Sequence, residues 1–391
     1  MLKGDDIMGI KSPISIPHGR LGIIALESSG ELGNKIDNYL IEKRKNDLYD
    51  NFDDKDTCKR SYLIPTNEVR FSNGEGKVVL EDTVRGKDIY ILCDVGNYSC
   101  TYEMFGFKNH KSPDDHFQDI KRVLSAIGGK ARRITVIMPL LYAGRQHKRK
   151  VRESLDCAIA LQELERLGVS DIITFDVHDP NVQNAVPLIS FDNLYPTYEI
   201  LKTFIKEEKD LFIDKSKMLV ISPDTGAMDR AIYYSSVLGL DIGLFYKRRD
   251  HSKVVSGKNP IIHHEYIGRS IEGQNILIVD DMISSGESIF DIVTELKKHK
   301  AEKIYVSTTF SLFTEGIDKF NEFYEKGLIN KVYSTNLTYI PQNVKDSKWF
   351  KEVDISQFIA NIIDNLNYDK SISPLLDATK NVKALLNSTK L

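Results

Sequence analysis

The stretch Ile276–Val293, ILIVDDMISSGESIFDIV, constrains the fold more than any other part of the chain. Four apolar residues run into adjacent carboxylates, Asp280 and Asp281, and a hydroxyl-rich turn follows: Ser284, Ser285, Gly286, Glu287 and Ser288. Ile289, Ile292, Val293 and Leu296 then recur at helical spacing. This is the order of a buried strand, an acidic strand end, a small-residue loop and a helix N-terminus. Free backbone N–H groups and the helix dipole at such a start favour phosphate. Two carboxylates just ahead of that cradle suit the hydroxyls of a sugar, directly or through a metal ion. An N-capped helix in any α/β domain has the same outline, but paired acids at a strand end are otherwise repulsive.

Other apolar runs also end in charge. Strands are expected over Leu21–Leu26, Asp88–Asp94, Ile134–Leu140, Ile172–Val177, Met218–Ile221 and Leu240–Phe245, with helical periods between them. That alternation predicts an α/β chain with mostly parallel sheets flanked by helices. In open sheets of this kind, ligands sit at the carboxyl ends of the strands. Those ends carry Arg145 and Gln146 with a basic run behind them, His178 beside Asp176 and Asp179, Asp224, and Lys247, Arg248 and Arg249. Val69–Glu75 reads as a strand entering an Asn73-Gly74 hairpin turn. Lys43–Arg60 reads as a polar surface insertion, Gly96–Pro113 as a loop or second insertion without clear period, and His251–Pro260 as a flexible closing loop. Ser154 is placed to cap the helix that follows it, and Asp224 or Thr225 to cap the next one. Residues 1–20 form a loose lead-in, and a helix over Ile355–Leu366 closes the ordered part.

Composition narrows the class. A chain of 391 residues holds two or three domains with real cores. A formal net charge of −3 argues against a general nucleic-acid binder, although local cations still serve small anions. No apolar run reaches the length of a membrane span, and the N-terminus lacks the apolar core of a secretory signal. Four scattered cysteines without a Cys-x-x-Cys pair indicate neither zinc nor a disulfide framework. A cytoplasmic enzyme is the default expectation. Cations, acids able to hold Mg²⁺ and a phosphate turn together imply phosphoryl transfer or phosphosugar handling. The Gly-x-x-x-x-Gly-Lys-Ser/Thr loop is missing, which disfavours a P-loop kinase.

The chain resembles the ribose-phosphate pyrophosphokinases, the phosphoribosyl diphosphate synthetases. Five separated motifs arrive in family order: FSNGE at 71–75, RQ at 145–146, DVH at 176–178, SPDTG at 222–226 with KRR at 247–249, and VDDMISSGES at 279–288. The resemblance runs from about Leu21 to the tail helix, with insertions near 43–60 and 96–113. It implies two phosphoribosyltransferase-like domains: residues 21–193 on the ATP side, joined by the C-terminal segment 352–370, and 194–351 on the ribose 5-phosphate side. It also implies ATP and ribose 5-phosphate as substrates and Mg²⁺ as the metal, with the sugar's anomeric hydroxyl attacking the β-phosphorus and AMP leaving. By the same resemblance, Phe71, Asn73 and Glu75 match the adenine-binding loop, which in the family serves a neighbouring subunit's site. Arg145 and Gln146 match residues at the ATP phosphates, and His178 and Asp224 match the metal ligands. Lys247 and Arg249 match the pair that neutralises the transferring group. Asp280 and Asp281 match the acids on the ribose hydroxyls, and Ser284, Ser285, Gly286, Glu287 and Ser288 match the 5-phosphate loop. A shared adenine loop implies a homo-oligomer, at least a dimer, with the family pointing to hexamers; neither nucleic acid nor membrane is implied.

Four positions depart from the family's usual pattern. Asn73 and His147 stand where Asp is usual, Ser284 where the loop carries a third Asp, and Glu287 where a small residue is common. A Glu beside phosphate is repulsive unless its side chain turns outward while its N–H still donates. Two other readings compete. A non-catalytic regulatory subunit should have lost cations or metal ligands, and these are retained. A phosphoribosyltransferase shares the Asp-Asp loop but has no use for FSNGE, Arg-Gln or Lys-Arg-Arg.

Overall fold

The structure is a computed structural model and describes residues 16–45, 61–149, 151–209, 211, 213–249 and 261–389. Most of the 43–60 insertion and all of the 251–260 loop expected from the sequence lie outside the described residues, as does most of the lead-in.

Runs of β-branched and aliphatic residues form the frame. Ile23, Ile24, Ile89, Ile91, Val136, Ile172 and Ile173 are each at most 1% exposed, as strands covered on both faces require. They build a five-stranded sheet in the order Arg20–Ala25, Lys87–Leu92, Arg133–Ile137, Asp171–Phe175 and Ser190–Leu194, parallel throughout. A second sheet has seven strands in the order Ile261–Ile267, Asp241–Arg249, Met218–Ser222, Asn275–Ile283, Ile304–Ser311, Lys331–Thr335 and Phe350–Val353. All its pairs are parallel except the first, where Ile261–Ile267 runs against Asp241–Arg249. Parallel neighbours need crossovers, and helices supply them. The expected mostly parallel α/β architecture is therefore present in both halves.

Local chemistry sets the helix ends. Pro113–Ile127 begins in a capping box between Ser112 and Asp115 and stops at Gly128 with φ 56°. Ser154 does not cap Asp156–Arg166: its hydroxyl bonds to the Gln146 and Asp156 side chains, and Leu155 occupies the cap position. Asp224 does cap, but a 3-10 turn, Thr225–Ala227, which continues into Met228–Leu238. The 96–113 segment is more than a loop. It folds as a two-stranded hairpin, Thr101–Met104 against Phe107–His110.

The chain's end returns to the first sheet. Helix Ser356–Asn367 lies along Gly30–Lys43, with Arg44 donating to Asp364 at 2.6 Å. At its end Asn367 donates to Asp88 at 2.9 Å, and Arg133 grips the same buried carboxylate at 2.7 and 2.8 Å. This helix is not the last ordered element. Ala378–Thr389 follows and buries Val382 against Thr197–Glu207 and Met228–Leu238. One hydrophobic cluster runs unbroken from Ile23 and Tyr90 through Phe204 and Ile359 to Leu277 and Tyr333, so the two sheets share a core.

Asp94, at the end of strand Lys87–Leu92, adds a polar tie between the halves. It is 3% exposed and accepts from the Gly96 and Tyr339 N–H groups at 2.9 and 2.8 Å and from Thr338 Oγ1 at 3.2 Å. Burial outweighs these bonds and pushes its carboxyl up to about 7. The folded state then holds a proton that the unfolded state releases near pH 4, so this residue's contribution to stability falls as pH rises from about 4 to 7. In urea titrations the wild type should lose ground to Asp94→Asn by up to ~1.4 kcal/mol per pH unit between pH 5 and 7, and no further above pH 8. Parallel pH profiles for the two proteins would contradict this.

Candidate active site

A cleft of about 180 Å³ opens where the carboxyl ends of both sheets meet. The first sheet contributes Arg145 and His178, from the segments after Arg133–Ile137 and Asp171–Phe175. The second contributes Asp224, Arg230, Asp280, Asp281, Met282, Ser284, Ser285, Gly286 and Ser288. The topology does this without special devices, because parallel strands all deliver their following loops to one edge.

The acidic pair sits at the end of a buried run, Ile276–Val279. Its strand, Asn275–Ile283, is flanked on both sides by parallel partners, so both carboxylates are largely sheltered. Asp280 accepts from the Asp281 N–H at 2.9 Å, and Asp281 accepts from the Met282 N–H at 2.8 Å. Burial and the neighbouring Asp281 push the Asp280 carboxyl well above the usual carboxylate range. Asp281 goes the other way: burial raises it, but the hydrogen bond to His178 and the charge of Arg230 outweigh that and lower it. The His178 Nδ1–Asp281 Oδ2 distance is 3.0 Å, and this bond, working against burial, raises the imidazole.

The loop after the acids is held in shape by packing. Gly286 has φ 89°, and a Cβ there would meet Phe320 ring carbons at 2.8 Å and a Phe290 carbon at 3.0 Å. Only glycine fits both the backbone and the space. Helix Glu287–Lys298 starts from it with no side-chain cap, which leaves the N-terminus as a cradle of backbone donors. Ser285 Oγ accepts weakly from the Glu287 N–H, at 3.4 Å. Glu287 itself is exposed and absent from the cleft lining, while its neighbours Gly286 and Ser288 line it. The repulsion that a Glu in this loop threatens is thus avoided by its direction.

Arg230 is the residue that motif reading missed. It lies in the cleft on Met228–Leu238, six positions after Asp224, and makes a forked pair with Asp176 at 2.5 and 3.0 Å. Asp176 is 3% exposed, has φ 44°, and also accepts from Thr309 Oγ1 at 2.5 Å. Burial raises this carboxyl despite Arg230. A lone Arg early in an otherwise weakly charged helix was the available signal. Met282 was also unforeseen: its sulfur lies 3.0 Å from Arg145 Nη2.

The remaining expected residues stand elsewhere. Gln146 lines an adjoining apolar cleft of about 200 Å³, together with Arg145, Tyr142 and Pro113. His147, in place of the usual Asp, stands 3.3 Å from Asp179 and 5.4 Å, ring to ring, from His178. Phe71, Asn73 and Glu75 form the turn of a hairpin, Thr66–Arg70 with Gly76–Leu80, as its Asn-Gly pair predicted. None of the three lines the cleft. Lys247 and Arg249 end strand Asp241–Arg249, opposite His264 and Ile261, and their side chains lie outside the described residues.

Among the described residues no three His, Cys, Asp or Glu side chains converge as a ready metal cage. Mg²⁺ needs no such cage, since it keeps several waters and takes one or two protein donors plus substrate phosphates. His178 fits that role, because a carboxylate on one ring nitrogen is how a metal-bound imidazole is oriented through the other. Asp224 fits less simply. Its Oδ1 already accepts from Gly226 and Ala227 N–H groups at 2.9 and 3.2 Å.

Comparisons with known proteins converge on one family. Residues 21–168 match the family model described as the N-terminal domain of ribose phosphate pyrophosphokinase, and residues 190–319 match the phosphoribosyl transferase domain. The ribose-phosphate pyrophosphokinase of Mycoplasma genitalium is 28% identical over 322 residues, covering 81% of this chain and 88% of that protein. Ribose-phosphate pyrophosphokinase A of Dictyostelium discoideum is 27% identical over 314 residues, with 80% and 89% covered. The crystal structure of phosphoribosylpyrophosphate synthetase from Mycobacterium smegmatis aligns with a TM-score of 0.70 at 20% identity, over 90% of this chain and 99% of that one. At that identity the likeness speaks for the fold.

Proposed function

The chain belongs to the ribose-phosphate pyrophosphokinase family, and we propose that it transfers the β,γ-diphosphoryl group of Mg-ATP to the C1 hydroxyl of ribose 5-phosphate. The observation that carries this reading is a single cleft uniting Arg145, His178 and Asp224 with Asp280, Asp281 and the Ser284–Ser288 loop. The backbone donors from Gly286 onward hold the 5-phosphate. Asp280 and Asp281 accept from the ribose hydroxyls, which aims C1 back toward Arg145 and His178. Arg145 and Gln146 hold the nucleotide's phosphates. His178 and Asp224 would hold Mg²⁺, which would supply neutralising charge at the phosphates.

With both substrates so held, the C1 oxygen forms a bond to the β-phosphorus as the bond from that phosphorus to the α,β-bridging oxygen breaks. AMP departs with the bridging oxygen, and the C1 hydroxyl proton is released. No protein nucleophile takes part. The work is orientation and charge stabilisation, and Lys247 and Arg249 supply positive charge where the diphosphoryl group passes between oxygens. The products are 5-phosphoribosyl 1-diphosphate, a precursor for nucleotide biosynthesis, and AMP. We place 21–193 with 352–370 on the ATP side and 194–351 on the sugar side, in a homo-oligomer whose Phe71–Glu75 loop serves a neighbour. Pure protein with Mg-ATP should release AMP only when ribose 5-phosphate is added. Absence of sugar-dependent AMP across metal and phosphate conditions would contradict the proposal.

A further inference from the structure

The inserted hairpin and the FSNGE hairpin are built as one unit. The Phe105 N–H donates to the Ser72 carbonyl at 2.9 Å. Met104 Sδ packs where a Cβ on Gly74 would come within 2.6 Å. The Arg70 guanidinium stands 5.2 Å over the Tyr102 ring and is itself held by Asp119 at 2.9 Å. At the base of the insertion, Lys111, 4% exposed, is tied to Glu27 and Glu68 at 2.9 Å each.

This anchored frame presents aromatic rings to solvent. Phe71, Phe105 and Phe107 are 48%, 73% and 73% exposed. Phe105 has φ 52° and Gly106 φ 78°, the two left-handed positions of a tight hairpin turn. Asn, Asp or Gly suits the first of these, and a bulky side chain there is unfavourable. The ring gains no burial in return. An unfavourable residue held rigidly at an exposed tip marks a surface used for recognition.

Meanwhile the cleft lined by Asp280, Asp281 and His178 includes no Phe, Tyr or Trp. It offers donors and acceptors for phosphates and a sugar, while Tyr142, in the adjoining cleft, already has a face stacked on Phe117. The patch has the complementary deficit: aromatic faces and the exposed carboxylate of Glu75, with Arg70 already committed to Asp119. Aromatic faces stack on a base, and a carboxylate accepts from an exocyclic amine.

We propose that the two hairpins form one clamp for the purine base of ATP held in a second copy's cleft, with Phe105 and Phe107 closing over a base stacked on Phe71. This rests on the reading that the Phe71–Glu75 loop takes the adenine, and it adds to that loop a second wall supplied by the insertion. The site for ATP is then incomplete in a single chain.

The test replaces the tip without disturbing the turn: Phe105→Asn, which the left-handed position favours, combined with Phe107→Thr. In the full-length protein the KM for ATP should rise about tenfold or more, since base stacking on a ring carries that much affinity. The KM for ribose 5-phosphate and the sedimentation coefficient should stay unchanged. An unchanged KM for ATP would overturn the clamp. So would dissociation of the assembly in the variant, which would make the patch a contact between chains. Should the wild type release no sugar-dependent AMP, the proposed reaction fails on its own. The clamp is then read by equilibrium binding of ATP: weaker binding to the variant supports it, and equal binding overturns it.

Discussion

Lys247→Ala is expected to lower kcat by roughly 10³-fold while leaving the thermal melting curve in place. On the proposed reaction, the substitution would remove a charge needed when the diphosphoryl group lies between two oxygens, and that demand would be greatest in the transition state. KM for both substrates should therefore move far less than kcat, because on the proposed reading the ground-state phosphates would still have Arg145 and the metal. Arg249→Ala should behave similarly, and the double variant should lose much less than the product of the two effects, since the pair acts on one group. Lys247 lies two residues before the end of strand Asp241–Arg249, beyond the part paired with Met218–Ser222. Truncation at that end spares the core. Near-normal turnover in Lys247→Ala, with AMP release as the readout, would mean that this strand end does not serve the transfer.

Arg230→Met is expected to cost about 3–5 kcal/mol of stability, because it leaves the Asp176 carboxylate buried without its cation. Among the described residues Asp176 would keep Thr309 as its side-chain donor, at 3% exposure and in a left-handed backbone conformation. Two residues on, His178 would lose its fixed position against Asp281, so activity should fall with stability. Adding Asp176→Asn to Arg230→Met should recover part of the loss, since the stranded charge is then gone. Urea titration of the four proteins of this cycle measures the coupling. An Arg230→Met penalty below about 1 kcal/mol, with no recovery in the double variant, would show the pair to be loosely held and solvent-screened.

The parts of the fold legible in the sequence were those with strong periodicity. Buried strands such as Ile276–Val279 and the capped, Gly-terminated helix Pro113–Ile127 carry their signals locally, and the charged residues at strand ends converge because parallel topology brings those ends together. The missed parts have weak or long-range signals. The hairpin Thr101–His110 hid because its turn is Phe105-Gly106 rather than an Asn-Gly pair, and because its strands are mostly solvated on both faces. Helix Ala378–Thr389 hid in a polar tail whose Val382, Leu385 and Leu386 form only a narrow stripe. Arg230 could not be read from spacing: its partner Asp176 is 54 residues away and belongs to the other sheet. Glu287, a troubling residue on paper, lies outside the cleft lining.

The identity of the phosphorylated products tests diphosphoryl transfer most directly. Phosphorus-31 NMR of the pure protein with Mg-ATP and ribose 5-phosphate should show AMP growing in step with two mutually coupled resonances of a sugar diphosphate, beside the retained 5-phosphate signal. ADP with a sugar bearing one additional phosphate, or ADP with free phosphate, would contradict transfer at the β-phosphorus.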